Sequence, residues 1–462
     1  MSHKIIKLSP LVLAAVAAGF STHAFAAGFA LIDQGASGQG VAYAGAAAVG
    51  EDASTVYFNP AAMTRLSGQQ IVVAGHLIVP KYDFTDSGST AFGGAPIVDS
   101  NGNPAPNSGG GQTAFVPNFY WAAALDNGLH VGVGVNVPYG LSTEYDAGWI
   151  GRYHGLKAEI TTININPSIA WKATDSVSLG IGLSYQYIDV DISNNLDSAV
   201  FCGAAQQINP AATCSAYTSP GVGAQDSALG LTGDDSSIGW NVGVLFDISD
   251  KSRLGLAYRS AIKHDLEGTA TYTLDSGAGS LAEAVAGTPF LSTTSLTAAA
   301  ELPETFSVSF VHDYNANWSL LMDYTFTGWD SISSINIVQA GSIPGTDPSL
   351  DLAFQNTNRL SIGGHYKPGN NWIFRGGLAY DESPVRSDEQ RTARVPDNDR
   401  RWLSLGFGYE PAKSWSFDVA YSHLFISDTG INNVSTGSSG ATLVGTYDAA
   451  VDILSAGVNF NF

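Results

Sequence analysis

The chain has 462 residues, of which 52 are glycine, 11% are aromatic and only 13% are charged, about half the charged fraction of a typical soluble domain. Its formal net charge of −21 at pH 7 argues against nucleic-acid binding, because that function needs a basic surface. A large chain this poor in charge is more typical of a membrane β-barrel than of a soluble sandwich.

Residues 1–26 have the pattern of a secretory signal peptide. Lys4 and Lys7 give a basic start, LVLAAVAAGF is the apolar stretch, and Ala24-Phe25-Ala26 supplies small residues for cleavage. The apolar stretch is too short to span a bilayer, and no later stretch approaches the ~20 apolar residues that a membrane helix needs. We therefore expect an exported mature chain that begins at Ala27.

Residues 27–66 are rich in glycine and alanine and contain one Asn59-Pro60-Ala61 turn. Irregular backbone is tolerated at membrane depth only inside protein or beside a water-filled cavity. A barrel with many strands leaves a hole along its axis. We therefore predict that residues 27–66 form an N-terminal hatch in the lumen of a barrel formed by residues 67–462.

The barrel prediction depends on strict alternation of apolar and small polar residues. Near the C-terminus, Leu454, Val458 and Phe460 fall on one face and Ser455 and Asn459 on the other. A soluble sandwich would carry charged residues on its polar face, whereas here that face is small and uncharged. This pattern is typical of strands that face lipid on one side and a lumen on the other.

Fourteen segments show this alternation, an even number as in bacterial barrels. Short connections such as Asp126-Asn127-Gly128 alternate with long ones, as periplasmic turns and extracellular loops do. The sequence thus predicts an all-β fold, a 14-stranded antiparallel transmembrane β-barrel. The predicted strands are 69–83, 115–126, 129–139, 157–173, 176–192, 235–249, 252–272, 303–315, 317–332, 354–367, 371–382, 399–411, 414–428 and 447–462.

The third predicted strand, 129–139, ends in Pro138-Tyr139 and is followed by Gly140. Pro138 has no N–H for a strand ladder, so the strand either kinks or ends there. Two cysteines, Cys202 and Cys214, share one polar loop, and after export they are expected to form a disulfide. Without a nearby histidine pair they do not indicate a zinc site.

Two predicted outer loops, 193–234 and 273–302, contain more apolar residues than exposed loops should. They either form a hydrophobic landing surface for a ligand or pack on each other as a cap. The stretch 389–401 carries Arg391, Arg394, Arg400 and Arg401 among acidic residues, which favours an ionic network at a loop base. The nine histidines form no nucleophile motif, so we predict no enzymatic activity, metal site or cofactor.

Several motifs together resemble the FadL-type outer-membrane transporters of hydrophobic compounds, which include TodX-like aromatic hydrocarbon channels. The resemblance covers essentially the whole mature chain. The motifs are Ala27-Gly28-Phe29, SGQGVAYAG at 37–45, NPA at 59–61, NVPYGL at 136–141, GRYH at 151–154, AYRS at 257–260, DESPV at 381–385 and RVPDNDR at 394–400, followed by Trp402.

The resemblance implies a 14-stranded barrel in the bacterial outer membrane, plugged by an N-terminal hatch. It further implies that ligand is captured between extracellular loops, held in a pocket above the hatch, and released sideways through a wall gap at the kinked third strand. Pro138, Tyr139 and Gly140 would form that gap, and the Asn59-Pro60-Ala61 turn would hold the hatch beside it. We expect outer-membrane lipid and lipopolysaccharide as surroundings and a monomeric protein.

The ligand class depends on cationic side chains in the pocket. In fatty-acid members of the family such side chains neutralise the carboxylate, but the aligned positions here are Asn194 and Asn336. Three lumen-facing arginines, Arg259, Arg359 and Arg375, either replace them or pair with lumen acids, for which Asp323, Asp381 and Asp418 are the candidates. Long-chain fatty acids are the first expectation, neutral or monoaromatic hydrocarbons the alternative, and a surface receptor or adhesin the second alternative.

Overall fold

The computed structural model describes residues 28–197, 200, 221–223, 226–273, 293–340, 349–435 and 440–462. The predicted signal peptide and the cysteine pair Cys202 and Cys214 lie outside the described residues, as do most of the apolar segments of the two outer loops. The described part of the chain contains no helix that is long and apolar enough to cross a membrane.

Fourteen antiparallel strands form a closed barrel in which β1 pairs with β14 along its length. Six strands are interrupted and are given in two parts. The strands are β1 (Gln69–Asp86), β2 (Ala114–Ala124), β3 (Leu129–Asn136 and Gly140–Glu144), β4 (Lys157–Thr174), β5 (Val177–Asp197), β6 (Asp226–Ser249), β7 (Ser252–Arg259 and Ile262–Thr273), β8 (Thr294–Leu302 and Thr305–Asp313), β9 (Trp318–Thr327 and Ser334–Gln339), β10 (Ser349–Asp351 and Thr357–Tyr366), β11 (Trp372–Asp381), β12 (Arg400–Ala412), β13 (Trp415–Ile426 and Thr429–Val434) and β14 (Thr442–Asn461).

Apolar side chains face outward and small polar side chains face the lumen, as predicted. On β12, Leu403 and Leu405 are 44% and 58% exposed, whereas Ser404 between them is fully buried. On β14, Leu454 is exposed and Ser455 is buried. Such an apolar exterior is stable only in contact with the lipid of a membrane.

Four strands begin at least five residues earlier than the sequence predicted: β8 begins at Thr294 rather than at 303, β10 at Ser349 rather than at 354, and β6 and β14 also begin early. β6 begins at Asp226 rather than at 235, because residues 226–234 continue the ladder with β5 up to the pair Asp197 and Asp226. β14 likewise begins at Thr442, where it pairs with the outer part of β13. Both extensions lie at the end of the barrel that carries the long loops, so they raise the wall on that side.

The N-terminal segment, residues 28–66, packs against the inner face of the barrel. It contains three one-turn helices, α1 (Ala36–Gln39), α2 (Ala46–Val49) and α3 (Thr55–Phe58), followed by a 3₁₀ helix at Pro60–Arg65. Almost all of its side chains are buried. Its small residues allow its backbone to lie directly against the wall.

Wall glycines make this close approach possible. A Cβ atom at Gly243 on β6 would lie 1.8 Å from Asn59 Oδ1, and one at Gly180 on β5 would lie 2.3 Å from the Ala61 nitrogen. Both distances are far below van der Waals contact. The wall and the N-terminal segment are therefore both rich in glycine for one reason, which is that the segment packs directly against the wall.

We predict that Gly243→Ala displaces the N-terminal segment from β6 and raises ion conductance through the barrel. The added methyl group overlaps Asn59, and overpacking of this kind destabilises a packed site by about 1–3 kcal/mol. The measurement is single-channel conductance in a planar bilayer.

Gly230→Ala on the same strand is the matched control, because its added Cβ would lie 4.0 Å from its nearest neighbour, the Thr271 oxygen. Equal conductance of the two variants would contradict the packing described for residues 59–61.

Candidate functional site

The third strand is interrupted by one extra residue. Asn136 pairs with Asn164 of β4, but Gly140 pairs with Thr161, so three residues of β3 oppose two of β4. Pro138 lies in the middle of these three and cannot donate to the ladder. The interruption lies where Pro138 indicated it, and it has the form of a β-bulge.

The Thr162 side chain replaces the missing ladder bonds between β3 and β4. Its hydroxyl accepts a hydrogen bond from the Tyr139 N–H at 3.0 Å and donates one to the Tyr139 carbonyl at 2.7 Å. β3 therefore stays attached to β4 through the interruption. The pairing that is lost is on the opposite edge of β3, which faces β2.

The ladder between β2 and β3 is missing beside this interruption, which leaves an opening in the wall that the N-terminal segment fills. β2 pairs with β3 only from Phe119 to Ala124, and in the described residues the ladder of 114–118 is with β1 alone. Here the N-terminal segment takes the place of a strand. The Leu31 N–H donates to the Pro138 carbonyl at 2.8 Å, and the Gly140 N–H donates to the Phe29 carbonyl at 2.9 Å.

The contact between the N-terminal segment and the opening involves other residues than the sequence predicted. Asn59 donates through Nδ2 to the Ala47 carbonyl at 2.6 Å and to the Val244 carbonyl on β6 at 3.2 Å. Its Oδ1 accepts from the Ala61 N–H, which begins the 3₁₀ helix. The expected contact of this turn with the break in β3 is therefore wrong. Phe29, Leu31 and Gln34 contact the break instead, with Gln34 Nε2 donating to the Val137 carbonyl at 2.9 Å.

An aliphatic slot lies in the outer half of the lumen. Side chains from eight strands, β3 to β10, converge on it, and apart from Phe29, Thr232 and Arg394 its lining in the described residues is aliphatic or glycine. A cavity of this kind is a site for an apolar ligand. Its main lining residues are Leu141, Ile160, Ile188, Val190, Leu266, Leu296, Ile335 and Ile337.

Phe29 connects the slot with the wall opening. Its ring lines the slot and packs edge-on against Trp329, with 4.9 Å between ring centroids, and against Tyr139 at 6.2 Å. Tyr139 is held in turn by a 2.8 Å hydrogen bond from its hydroxyl to the Pro303 carbonyl. One residue of the N-terminal segment therefore separates an apolar cavity from an opening in the wall.

A second, more polar cavity lies against the slot on the side of the long loops. The two cavities share Leu231, Ile337, Leu350, Leu352 and Arg394 as lining residues. We call the second cavity the vestibule; its polar lining includes Asn194, His154 and Glu389. Asn194 was predicted as a ligand-site residue and lies in the vestibule. Asn336 is exposed on β9 and points away from the slot, because its neighbours Ile335 and Ile337 point into it.

The three predicted lumen arginines do not line the slot. Arg375 pairs with Glu51 of the N-terminal segment at 2.9 Å and with Asp418 at 2.6 Å. Arg259 donates to Ser184 Oγ and to the Tyr57 carbonyl, and Arg359 donates to the Ala42 carbonyl. All three thus hold the N-terminal segment in place. Arg259 and Arg359 also line a separate cavity beside this segment, together with Asp323 and Asp381.

The arginine-rich stretch 389–401 serves two roles, of which the sequence indicated one. Arg391 pairs with Asp388, and Arg400 pairs with Asp397, which is the expected ionic network at a loop base. Arg394 has no such partner and lines the slot instead. The sequence carried no signal for this difference, because Arg394 stands in the same mixed-charge run as the others.

A closed barrel with a lipid-facing exterior, an aliphatic interior slot and an opening in its wall defines a membrane channel for hydrophobic compounds. Known proteins have the same architecture. The chain is 30% identical over 428 residues, 92% of each chain, to a long-chain fatty acid transport protein of Escherichia coli O6:H1. It is 28% identical to outer membrane protein P1 of Haemophilus influenzae, over 86% of each chain.

Solved structures give the same result. A Pseudomonas aeruginosa FadL homologue superposes with a TM-score of 0.84 at 25% identity, covering 94% of this chain and all of that one. The Ralstonia pickettii toluene transporter TbuX shares the fold, with a TM-score of 0.63 at 17% identity over 96% of this chain and all of that one.

The family model described as outer membrane protein transport protein (OMPP1/FadL/TodX) matches residues 17–462, and the chain belongs to this family. The protein is therefore an outer-membrane channel for hydrophobic compounds and not an enzyme, as predicted.

We predict that Arg375→Met lowers the free energy of unfolding by about 3 kcal/mol, the lower end of the range for a broken buried pair, because it leaves the partly buried carboxylates of Glu51 and Asp418 without their cation. The measurement is equilibrium urea unfolding in lipid vesicles. Arg401→Met is the control, because Arg401 is exposed on the same barrel. If both variants unfold at the same urea concentration, the buried ion pairs do not stabilise the protein.

Proposed function

We propose that this channel takes up long-chain fatty acids, which bind in the aliphatic slot and leave through the wall opening between β2 and β3. The observation that carries this proposal is the position of Phe29. Its ring lines the slot, while its carbonyl accepts the hydrogen bond from Gly140 that fills the opening. Displacement of this one residue would join the slot to the membrane.

Residues 27–66 act as the hatch in this proposal, with residues 1–26 as signal peptide and 67–462 as barrel. The hatch blocks the direct route to the periplasm, since Glu51, Asn59 and the 3₁₀ helix Pro60–Arg65 pack on the wall below the slot. Sideways release suits the ligand. Moving a long acyl chain into water would cost about 0.8 kcal/mol for each CH₂ group, whereas lateral exit keeps it in apolar surroundings.

Fatty acids are proposed ahead of neutral hydrocarbons on two grounds. The curated relatives reported above include a long-chain fatty acid transport protein, and the slot is lined mainly by aliphatic rather than aromatic side chains. The alternative, uptake of monoaromatic or other neutral hydrocarbons, is favoured by Asn194 and Asn336, which carry no charge to match a carboxylate. TbuX, which shares the fold, is a toluene transporter.

The surroundings of the barrel follow from its exterior. Aromatic residues gather near the short turns, where the Trp372 and Tyr409 rings lie 4.6 Å apart and the Trp318 and Tyr366 rings 4.5 Å apart. Such girdles lie at the membrane interface of outer-membrane barrels. We propose outer-membrane lipid and lipopolysaccharide as neighbours and a monomer as the working unit, because the closed barrel leaves no strand edge to be paired.

Deletion of Pro138 tests the exit route. It removes the extra residue of β3, so that the pairs Asn136–Asn164 and Gly140–Thr161 come into one register. Asn136 and Leu141 both face inward, and after the deletion they are an even number of positions apart, as a regular strand requires. We predict a continuous wall and uptake of radiolabelled hexadecanoate no faster than in cells that lack the channel.

Pro167→Val is the control, because Pro167 lies exposed on β4 in a part of the wall that is continuously paired with β3. Its uptake should equal that of the original protein, with both variants present in the outer membrane at equal amounts. Normal uptake by the Pro138 deletion would exclude lateral exit at β3.

A further inference from the structure

Arg394 stands where the vestibule meets the slot. It belongs to the loop between β11 and β12 and lines both cavities. Among the described residues that line the slot, it is the one with a charged side chain. The guanidinium therefore lies beside a route from the vestibule into the slot.

Arg394 has no acidic partner, a property that it shares, among the described residues, with Arg259 and Arg359 beside the N-terminal segment. Arg152, Arg375 and Arg400 each pair with at least one carboxylate. Within the described residues no carboxylate oxygen lies within 4 Å of the Arg394 guanidinium, and its Nε is buried without a hydrogen-bond partner. Its Nη2 donates to Asn194 Oδ1 at 3.0 Å.

The Arg394 guanidinium is positively charged at neutral pH, and its described neighbours do not neutralise it. Burial lowers the pKa of Arg394 to about 10, so the guanidinium is still protonated at neutral pH. Burial and the charge of Arg394 lower the pKa of His154, which also lines the vestibule, to about 4, so this imidazole is neutral. Glu389 and Asp351 line the vestibule but do not pair with Arg394. Asn194 offers an amide dipole and no counter-charge.

The position of Arg394 is fixed by its loop. The Arg394 carbonyl accepts a hydrogen bond from Thr143 Oγ1 at 3.1 Å, and the preceding Ala393 carbonyl accepts one from the Tyr145 hydroxyl at 2.7 Å. Thr392 and Val395 form a β-bridge around it. Arg391 ties the loop further by donating to the Asp397 carbonyl. The backbone at Arg394 is therefore fixed before any ligand binds, and the hydrogen bond to Asn194 Oδ1 orients the guanidinium.

A half-buried cation without a counter-charge is unfavourable, and a ligand carboxylate would supply that counter-charge. A guanidinium offers several N–H donors in one plane and matches the two oxygens of a carboxylate. The aliphatic slot beyond it matches an acyl chain. The two features together describe an amphiphile with one anionic end and a long apolar tail.

We infer that Arg394 binds the carboxylate of the ligand while the acyl chain occupies the slot, and that this residue makes the channel select fatty acids over neutral hydrocarbons of equal length. The inference rests on the proposed function, because it takes the slot to be the ligand site. It assigns the cationic role to a loop residue, while Asn194 and Asn336 stand at the positions where a cation was expected. Asn194 acts as a positioning residue that orients the guanidinium through Oδ1.

The test is equilibrium binding of two probes of equal chain length, hexadecanoate and 1-hexadecanol, to the purified full-length protein in detergent. Arg394→Met keeps the length of the side chain and removes its charge. We expect it to weaken hexadecanoate binding by about 10- to 100-fold, the range for a lost hydrogen bond to a charged group. Hexadecanol binding should change by less than about twofold, since only the apolar contacts bind its chain.

Two further variants serve as controls. Arg394→Lys keeps a charge and should restore part of the hexadecanoate affinity. Arg401→Met removes an exposed arginine of β12 and should leave both affinities unchanged. An equal loss of both probes in Arg394→Met would show that Arg394 only supports the loop, and no loss of either would show that it does not touch the ligand. Either result overturns the inference.

The same experiment separates this inference from the proposed function. If the original protein binds neither probe, the proposed function fails, whatever Arg394 does. If the original protein binds both probes with equal affinity and Arg394→Met is unchanged, the slot remains a ligand site and the role of Arg394 fails.

Discussion

The hydrogen bonds between the N-terminal segment and the interrupted third strand govern the architecture of this channel. A lipid bilayer offers no water to satisfy backbone N–H and C=O groups, so an incomplete β-ladder at membrane depth is unfavourable. The bulge around Pro138 creates such an incomplete ladder in β3, and Phe29 and Leu31 complete it. The wall is thus closed by a piece of chain that is not part of the wall.

This constraint explains why the lumen has two different halves. Near the short turns, the N-terminal segment is fixed by buried polar contacts, among them the Arg375 pairs with Glu51 and Asp418 and the hydrogen bonds of Asn59. Near the long loops, the lumen is an aliphatic slot. Phe29 lies at the boundary between the two. A ligand that fills the slot therefore contacts the residue that closes the wall, while most of the segment stays anchored.

The fold was predictable from the sequence because its signals are local. Alternation along each strand is a property of neighbouring residues, and it predicted fourteen strands. Their bounds are close to those observed except towards the long loops, where β6, β8, β10 and β14 begin early and β3, β5, β9 and β13 end late. Pro138 marked the break for the same reason, since a proline cannot donate to any ladder. The site was predictable only in part, because its contacts join residues far apart in sequence. Asn59 meets β6 rather than β3, and Arg394 lacks the carboxylate that Arg391 and Arg400 have, although all three stand in one run of mixed charge.

The most direct test of this account is a disulfide that ties the N-terminal segment to the third strand. Ala30 and Tyr139 form a bridge pair flanked by two hydrogen bonds; such pairs have Cα atoms about 4.5 Å apart, close enough for a disulfide. In a variant with Ala30→Cys and Tyr139→Cys, and with Cys202 and Cys214 changed to serine, hexadecanoate uptake is measured under oxidising and reducing conditions. The account predicts that the oxidised protein binds hexadecanoate without transporting it and that reduction restores transport. Equal transport in both conditions would contradict it, because the ligand would then not need Phe29 to leave the opening.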